Sequence, residues 1–245
     1  MISFQNIFLL SFIQGATEFL PVSSSAHLIL LPNLTNNPDQ GRVFDVAVHF
    51  GSLLAVVVYL WKDLFNMLIG VLSLGNKSKK EFKLFYIVLI ATLPLVIFGY
   101  YIQKNNLLML RSIELIAWCT LIFGILLFMV DRYFLKVKKI DDLTLTSGLF
   151  IGLFQILAFF PGTSRSGITI TAGRFLGFER SSAAKFSLLL SIPAILGATT
   201  LEVYELYKLN SYDLNFKILI ASMISFIFSI ISISFMMRWI SHSTF

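Results

Sequence analysis

Two stretches decide how this chain folds: QGATEFLPVSSSAH, from Gln14 to His27, and PGTSRSG, from Pro161 to Gly167. Both are polar, both contain proline, and both interrupt long apolar sequence. Glu18, His27 and Arg165 are costly there, because a charge near the centre of a bilayer costs at least about 2.5–3.5 kcal/mol. Non-helical backbone survives at that depth only where it lines a cavity or is buried in protein. Two such segments in one small chain read as the two walls of one site.

The surrounding sequence belongs in lipid. Of 245 residues, 57% are hydrophobic and 13% charged, and 25 are phenylalanine, against roughly 25% charged in soluble domains. The mean hydropathy is +0.83. Apolar runs at Val43–Trp61, Leu84–Tyr101, Ser112–Val130, Ala183–Tyr204 and Phe216–Met237 each approach the ~20 residues needed to cross hydrocarbon. The expected fold class is an all-α polytopic membrane protein, with residues 1–245 as one membrane domain.

A net charge of +6 would suit nucleic acid, but the basic residues fall in short loops. Five lie in Lys62–Lys83 and four in Arg132–Lys139. Two spans separate those loops, so they share a side, which the positive-inside rule assigns to the cytoplasm. Arg174, Arg180 and Lys185 add three more on that side. No Lys or Arg precedes Arg42, so the N-terminus lacks the basic region of a secretory signal and the first forty residues are placed outside. Cys119 is alone in an apolar span and reads as a packing residue, with neither disulfide framework nor metal cluster.

The chain divides into two similar halves. Met1–Leu20 is mostly apolar, Pro21 interrupts it, and residues 22–32 form a short helix ending at Pro32. With Met1 and Arg42 both outside, this unit is a re-entrant hairpin. Ser147–Phe160 is likewise apolar, PGTSRSG breaks it, and Ile168–Phe178 forms a second short helix. Both flanks of that unit are cytoplasmic, so the second hairpin enters from the opposite face. Gln14 and Gln155 each precede a break. The expected architecture is an inverted-topology repeat, about 1–131 and 145–245, with a site near the midplane between broken helices. The first half has three spans after its hairpin and the second has two; either a sixth span is missing at the C-terminus or the natural protein is short.

Gln14 and Glu18 are four residues apart and share a helix face. A carboxylate with an amide one turn away offers hard oxygen ligands for Mg²⁺ or Ca²⁺, although two oxygens are an incomplete shell and Glu18 also suits a purely structural hydrogen bond. Ser23, Ser24 and Ser25 either cap the following helix or, beside His27, supply a nucleophile and a base; His27 also suits a structural role. In the second stretch, Gly162, Thr163, Ser164, Ser166 and Gly167 surround Arg165 at the start of a helix. Glycine backbone and a helix N-terminus favour an anion, and Arg165 suits a phosphate held by two parallel hydrogen bonds. Its alternative is pairing with Glu18 or with carbonyls. The stretch does not match the Walker phosphate loop. Asp45 and His49 share a face of the next span and rank second, since Asp45 also suits a pair with Arg42. Glu114 and Glu202 fall near span ends, and His242 carries no signal.

The sequences QGATEFLPVSSSAHL, FDVAVHFGSLLAVVVYLW and PGTSRSGITITAGRFLGF, in that order and covering nearly the whole chain, resemble the undecaprenyl-diphosphate phosphatase family, bacterial membrane enzymes associated with bacitracin resistance. The resemblance implies hydrolysis of the C55 lipid diphosphate to monophosphate and inorganic phosphate, assisted by a divalent cation, Mg²⁺ or Ca²⁺. The family's [E/Q]-x-x-x-E motif falls on Gln14 and Glu18, and its P-V-S-S motif with the following histidine on Pro21–Ser24 and His27. Its P-G-x-S-R-S-G motif falls on Pro161–Gly167, with Thr169 in the helix beyond. Many members carry Glu where this chain has Gln14, which leaves Glu18 as the stronger metal candidate. The family continues past Ser243–Phe245 into one more apolar span.

The expected roles follow. Arg165 and the N–H groups of Gly162–Gly167 hold the diphosphate, Glu18 with Gln14 binds the cation, and Ser24 or a water attacks with His27 as base or leaving-group acid. A transporter or flippase of the same lipid carrier is the runner-up. The expected location is the bacterial inner membrane, multi-pass, with the active site facing outward. The expected partners are undecaprenyl diphosphate, membrane lipid and, as an option, a second copy in a homodimer; nucleic acid is not expected.

Overall fold

The computed structural model describes residues 4–35, 40–104, 112–134, 137–208 and 216–242. Met1 and the Ser243–Phe245 tail, on which parts of the topology reading rest, lie outside them. The described chain is helical throughout: α1 (Phe4–Thr17), α2 (Ser24–Thr35), α3 (Arg42–Tyr59), α4 (Trp61–Leu72), α5 (Lys79–Lys104), α6 (Ile113–Tyr133), α7 (Leu145–Gln155), α8 (Arg165–Phe175), α9 (Arg180–Lys208) and α10 (Phe216–His242). Two 3₁₀ turns, Ile140–Asp142 and Ile156–Phe159, flank α7. Five helices, α3, α5, α6, α9 and α10, are long and apolar enough to cross a membrane, at the positions expected.

Three boundaries differ from the sequence reading. The first span ends at Tyr59, and the chain turns at Leu60 into α4, which was not anticipated. Met67 and Gly70 of α4 are buried while Phe65, Leu68 and Leu72 are exposed, and Lys185 Nζ holds Asp63 Oδ1 at 2.7 Å. A helix with an ionic tether on one side and apolar side chains on the other suits the membrane interface. Helix α2 runs through Pro32 to Thr35 instead of ending at the proline. A proline so near a C-terminus removes one late intrahelical bond, and Thr35 Oγ1 donates to Leu31 O at 2.8 Å across the same turn. Helix α8 starts at Arg165, not Ile168, because Ser164 caps it: Gly167 N–H donates to Ser164 Oγ at 3.1 Å.

Packing in lipid depends on close approach of small residues, since lipid tails are as apolar as leucine. A Cβ on Gly51 would lie 2.2 Å from Ser222 O, and one on Gly152 would lie 2.1 Å from Ala91 O. Where backbones meet this closely, hydroxyls join them. Ser225 Oγ donates to Val48 O at 2.7 Å, Ser229 Oγ donates to Ser52 Oγ at 3.1 Å, and Ser232 Oγ donates to Ala16 O at 2.7 Å.

These contacts fix direction. Gly51 meets Ser222 and Ser52 meets Ser229, so α3 and α10 run parallel. Phe12 meets Phe228 and Ala16 meets Ser232, so α1 runs with them. Along α5, Gly148 meets Ile87, Gly152 meets Ala91 and Phe159 meets Gly99, so α7 runs parallel to α5. Helices α3 and α5 are successive spans joined through α4 and run in opposite directions. The two broken hairpins therefore enter from opposite faces. The packing is crossed between halves: α1 and α3 lie on α10, while α7 and α9 lie on α5.

At one end of the bundle the basic loops converge. Lys80 Nζ meets Asp141 Oδ2 at 2.6 Å and Lys138 Nζ donates to Leu176 O at 2.9 Å. Beneath them Asp131 lies between two guanidiniums. Arg174, fully buried, donates Nε to Asp131 Oδ1 at 2.8 Å and also bonds the Phe178 carbonyl. Arg180 donates Nη2 to Asp131 Oδ2 at 2.8 Å. This cluster ties α6, α8 and the start of α9 together below the second hairpin.

Candidate active site

The first hairpin breaks because Pro21 has no N–H to continue α1. After Thr17 the chain crosses to α2 over residues 18–23, with Glu18 N–H still bonded to Gln14 O at 3.0 Å. The two readings of the serines divide between them. Ser23 Oγ accepts from Ala26 N–H at 3.3 Å and caps α2, with Ser25 Oγ 3.1 Å away. Ser24 points elsewhere: its Oγ donates to Glu18 Oε2 at 2.7 Å.

The second hairpin meets the first at its tip. Ser166 Oγ donates to Leu20 O at 2.6 Å, and Ser164 Oγ lies 3.3 Å from the same carbonyl. Ser164 has two tasks, capping α8 and binding the opposite tip. That places Arg165, the first residue of α8, over Glu18: Nη2 donates to Oε1 at 3.2 Å, and Nη1 lies 3.4 Å from Ser187 O on α9. Arg165 thus has both alternative partners read from the sequence, the carboxylate and a carbonyl.

Glu18 is the centre of the cluster, its side chain 8% exposed. Gln14 Nε2 donates to Oε2 at 2.9 Å, beside Ser24. His49 Nε2 lies 3.9 Å from the same oxygen. The opposite ring atom, Nδ1, is 2.7 Å from Asp45 O; a carbonyl only accepts, so Nδ1 carries a proton and Nε2 faces the carboxylate. The Asp45 carboxylate accepts from Gln40 Nε2 at 2.9 Å. His49, ranked second from sequence, thereby stands beside Glu18, and Asp45 touches its ring through the backbone carbonyl. His27 is held differently, with Nδ1 2.6 Å from Ser23 O and the ring exposed. Among the described residues no hydrogen bond links it to Ser24, whose proton points at Glu18.

The remaining glycine-loop residues divide by direction. Gly162 has φ +93°, a left-handed conformation that favours glycine, and an added Cβ would lie 2.4 Å from Ile116 O. Its carbonyl accepts from Thr120 Oγ1 at 3.3 Å, so Gly162 serves the contact with α6; Thr163 beside it is buried. Thr163 N–H bonds Phe160 O and Gly167 N–H bonds Ser164 Oγ. At the mouth of α8 stand the backbone N–H groups of Arg165 and Ser166, beside the positive end of the helix dipole. Thr169 is buried and supports from below: its Oγ1 donates to Arg165 O at 2.9 Å and lies 2.7 Å from Ser187 Oγ.

Ser187 was missed from the sequence, and so was the Leu20 carbonyl. Nothing in FSLLLS marks Ser187 as a support for Arg165, and a backbone carbonyl has no side-chain signature. His49 had a signal, its spacing from Asp45, but Glu18 reaches it only through the fold.

If a divalent cation binds here, Glu18 and Gln14 are the residues that would hold it, through oxygen donors one helical turn apart. Gln14 Nε2 donates to Glu18 Oε2 at 2.9 Å, and Gln14 Oε1 is buried with no hydrogen-bond partner among the described residues. Both Glu18 oxygens already accept protein hydrogen bonds, and no group of three His, Cys, Asp or Glu residues suited to a metal occurs among the described residues.

The fold and site define a polytopic helical membrane protein in which two opposed hairpins touch and a helix N-terminus with its arginine is set against a carboxylate and a serine. A family model described as bacitracin resistance protein BacA matches residues 7–245, and the chain belongs to that family. It is 42% identical over 243 residues to an undecaprenyl-diphosphatase of Jannaschia sp. (strain CCS1), covering 98% of this chain and 91% of that protein. It is 40% identical over 238 residues to the undecaprenyl-diphosphatase of Moorella thermoacetica, covering 96% and 88%. It is 41% identical over 238 residues to that of Pelagibacter ubique, covering 96% and 88%.

Proposed function

We propose that this chain hydrolyses undecaprenyl diphosphate to undecaprenyl phosphate and inorganic phosphate, returning the lipid carrier to cell-wall synthesis. It is a membrane phosphatase, a hydrolase of a phosphoric anhydride. The observation that carries the chemistry is the 2.7 Å contact from Ser24 Oγ to Glu18 Oε2 beside Arg165. A hydroxyl, a proton acceptor and a phosphate-binding cation are there within one cluster.

The steps follow from those atoms. Arg165 and the N–H groups at the mouth of α8 hold the diphosphate and take up its charge, the dominant requirement of phosphoryl transfer. Ser24 Oγ attacks the terminal phosphorus and its proton passes to Glu18. The bond between that phosphorus and the bridging oxygen breaks, and undecaprenyl phosphate leaves with the electron pair. Water then hydrolyses the phosphoserine, releasing inorganic phosphate and restoring the Ser24 proton. His49 steadies Glu18 through the cycle, and His27, one turn along α2 from Ser23, serves the leaving group or the entering water.

The proposal extends to location: the bacterial inner membrane, with the site opening outward. Two features support this side. The basic loops gather at the opposite end, and the half-buried His49 lies in the first half of α3, the half nearer the outer face. It also extends to a pair of copies in the membrane, which mass measurement of the solubilised protein tests.

The test of function is release of inorganic phosphate from a polyprenyl diphosphate by the purified protein in detergent. Wild type releases one phosphate per lipid, and Glu18→Ala and Arg165→Ala each lose the activity. Phosphate release unchanged by both substitutions overturns the assignment.

A further inference from the structure

We propose that helix α4 and the first turns of α5 form a platform that binds anionic phospholipid, headgroup and acyl chains together, at the basic end of the bundle. None of its residues belongs to the cluster around Glu18, so it stands or falls independently of the reaction.

Helix α4 has two unlike faces. Trp61, Phe65, Leu68 and Leu72 recur at helical spacing and form one stripe, and each is more than 50% exposed. The other face packs on α5, so closely that a Cβ on Gly70 would lie 2.9 Å from Phe82 N. The chain reverses between the two helices at Leu74 and Gly75, with φ of +49° and +80°. Among the described residues the apolar stripe is left without cover. A short helix that follows a span, with tryptophan at its start and an open apolar face, belongs where headgroups meet acyl chains.

The charges beside that stripe are unbalanced. Trp61–Lys83 holds five lysines and two acids. Both acids are engaged: Asp63 accepts from Lys185 Nζ at 2.7 Å, and Glu81 accepts from the Ser78 hydroxyl. Lys80 is held by Asp141 at 2.6 Å, a contact that brings the turn bearing the exposed Lys139 to the same end. Lys77, Lys79 and Lys83 are exposed and form no ion pair among the described residues. Lys79 and Lys83, four residues apart, share a face of α5. Lys62 Nζ stands 5.6 Å from the centroid of the Trp61 ring, so charge and stripe adjoin at the start of α4 as well.

These features select the ligand. The positive-inside rule assigns this end to the cytoplasm, and an anionic leaflet surface strengthens binding by about fivefold for each Lys or Arg near it. A zwitterionic headgroup has no net charge and lacks that gain. Lysine ammonium groups act as point charges with three donors each, which suits phosphate oxygens that have no fixed orientation. Free phosphate has nothing to set against Phe65 and Leu68, whereas a phospholipid covers them with its acyl chains. Lipid seated on both α4 and α5 binds only the folded pair, so it stabilises the protein by mass action.

The experiment counts lipid retained by the detergent-purified protein in native mass spectrometry, from an equal mixture of phosphatidylglycerol and phosphatidylcholine. Wild type should retain phosphatidylglycerol over phosphatidylcholine by at least about tenfold. Combined Lys77→Gln, Lys79→Gln and Lys83→Gln should abolish the preference, while arginine at the same three positions should keep it. Lys208→Gln with Lys217→Gln, at the other end of α9 and the start of α10, should also keep it. Thermal unfolding should be raised by phosphatidylglycerol in wild type and in the arginine variant, but not in the glutamine variant. Equal retention of the two lipids by wild type overturns the proposal, as does a preference that survives the glutamine variant or is lost with Lys208 and Lys217. A doubled wild-type mass that Phe65→Ser with Leu68→Ser returns to a single chain puts a second copy on the stripe and overturns it too.

Discussion

The Glu18–Arg165 pair allows catalytic loss to be separated from structural loss. The two side chains are 8% and 14% exposed, and their charges are 3.2 Å apart. At an effective dielectric of about 20, their gross attraction is about 5 kcal/mol. Desolvation cancels most of that in the intact pair, but removing one partner leaves a buried charge alone and typically costs about 3–5 kcal/mol. Arg165→Met and Glu18→Gln are each expected to lower the Tm of the solubilised protein by roughly 6–20 °C, taking 2–4 °C per kcal/mol. The double variant removes both charges, and most of the lost stability should return. Activity should not return: each single variant loses at least about 10²–10³-fold in kcat, the scale for one charge-stabilising group, and the double variant stays inactive. Stability losses that simply add in the double variant would refute the pairing, and recovered activity would refute the catalytic roles.

Other expectations follow from single contacts. His49→Ala should reduce kcat at least about tenfold in a phosphate-release assay, because the ring stands 3.9 Å from the Glu18 carboxylate; wild-type turnover by this variant would contradict the placement of His49 in the cluster. Gly152→Val should destabilise by at least about 1–3 kcal/mol, because even a Cβ would approach Ala91 O to 2.1 Å, and thermal unfolding in detergent reads this. Asp131→Asn should cost more than Arg174→Met, about 3–5 kcal/mol, since it leaves two guanidiniums facing each other while the arginine variant still leaves Arg180 on the carboxylate.

Much of the fold was legible because lipid makes a simple demand of sequence. Each of the five spans is an apolar run of sufficient length, and each break carries a proline and polar residues that a span would exclude. The opposite entry of the hairpins followed from counting charged loops and agrees with the parallel packing of α1 on α10 and α7 on α5. Helix α4 was not legible, since its pattern continues the span before it and only the turn at Leu60 separates them. The start of α8 depended on Ser164 as a cap, a role that a serine in a glycine loop does not advertise.

At the site, the residue types were readable and their pairings were not. Ser24 next to His27 in sequence suggests a serine–histidine couple, yet the turn after Pro21 gives the Ser24 proton to Glu18 and His27 to a carbonyl. Gln14 and Glu18 at four-residue spacing read as two oxygen donors on one face, and the structure adds that the Gln14 amide also bonds the carboxylate. The contact of Ser166 with Leu20 O joins residues 146 positions apart, and no local pattern encodes it.

The most direct measurement is a single turnover on a polyprenyl diphosphate labelled at its terminal phosphate, quenched in acid, with the label then located on the protein. The account predicts label on Ser24, absent from Ser24→Ala, with turnover of that variant reduced by about 10³-fold or more, as for loss of a nucleophile. Wild-type turnover by Ser24→Ala, with labelled oxygen from water appearing directly in the released phosphate, would contradict it.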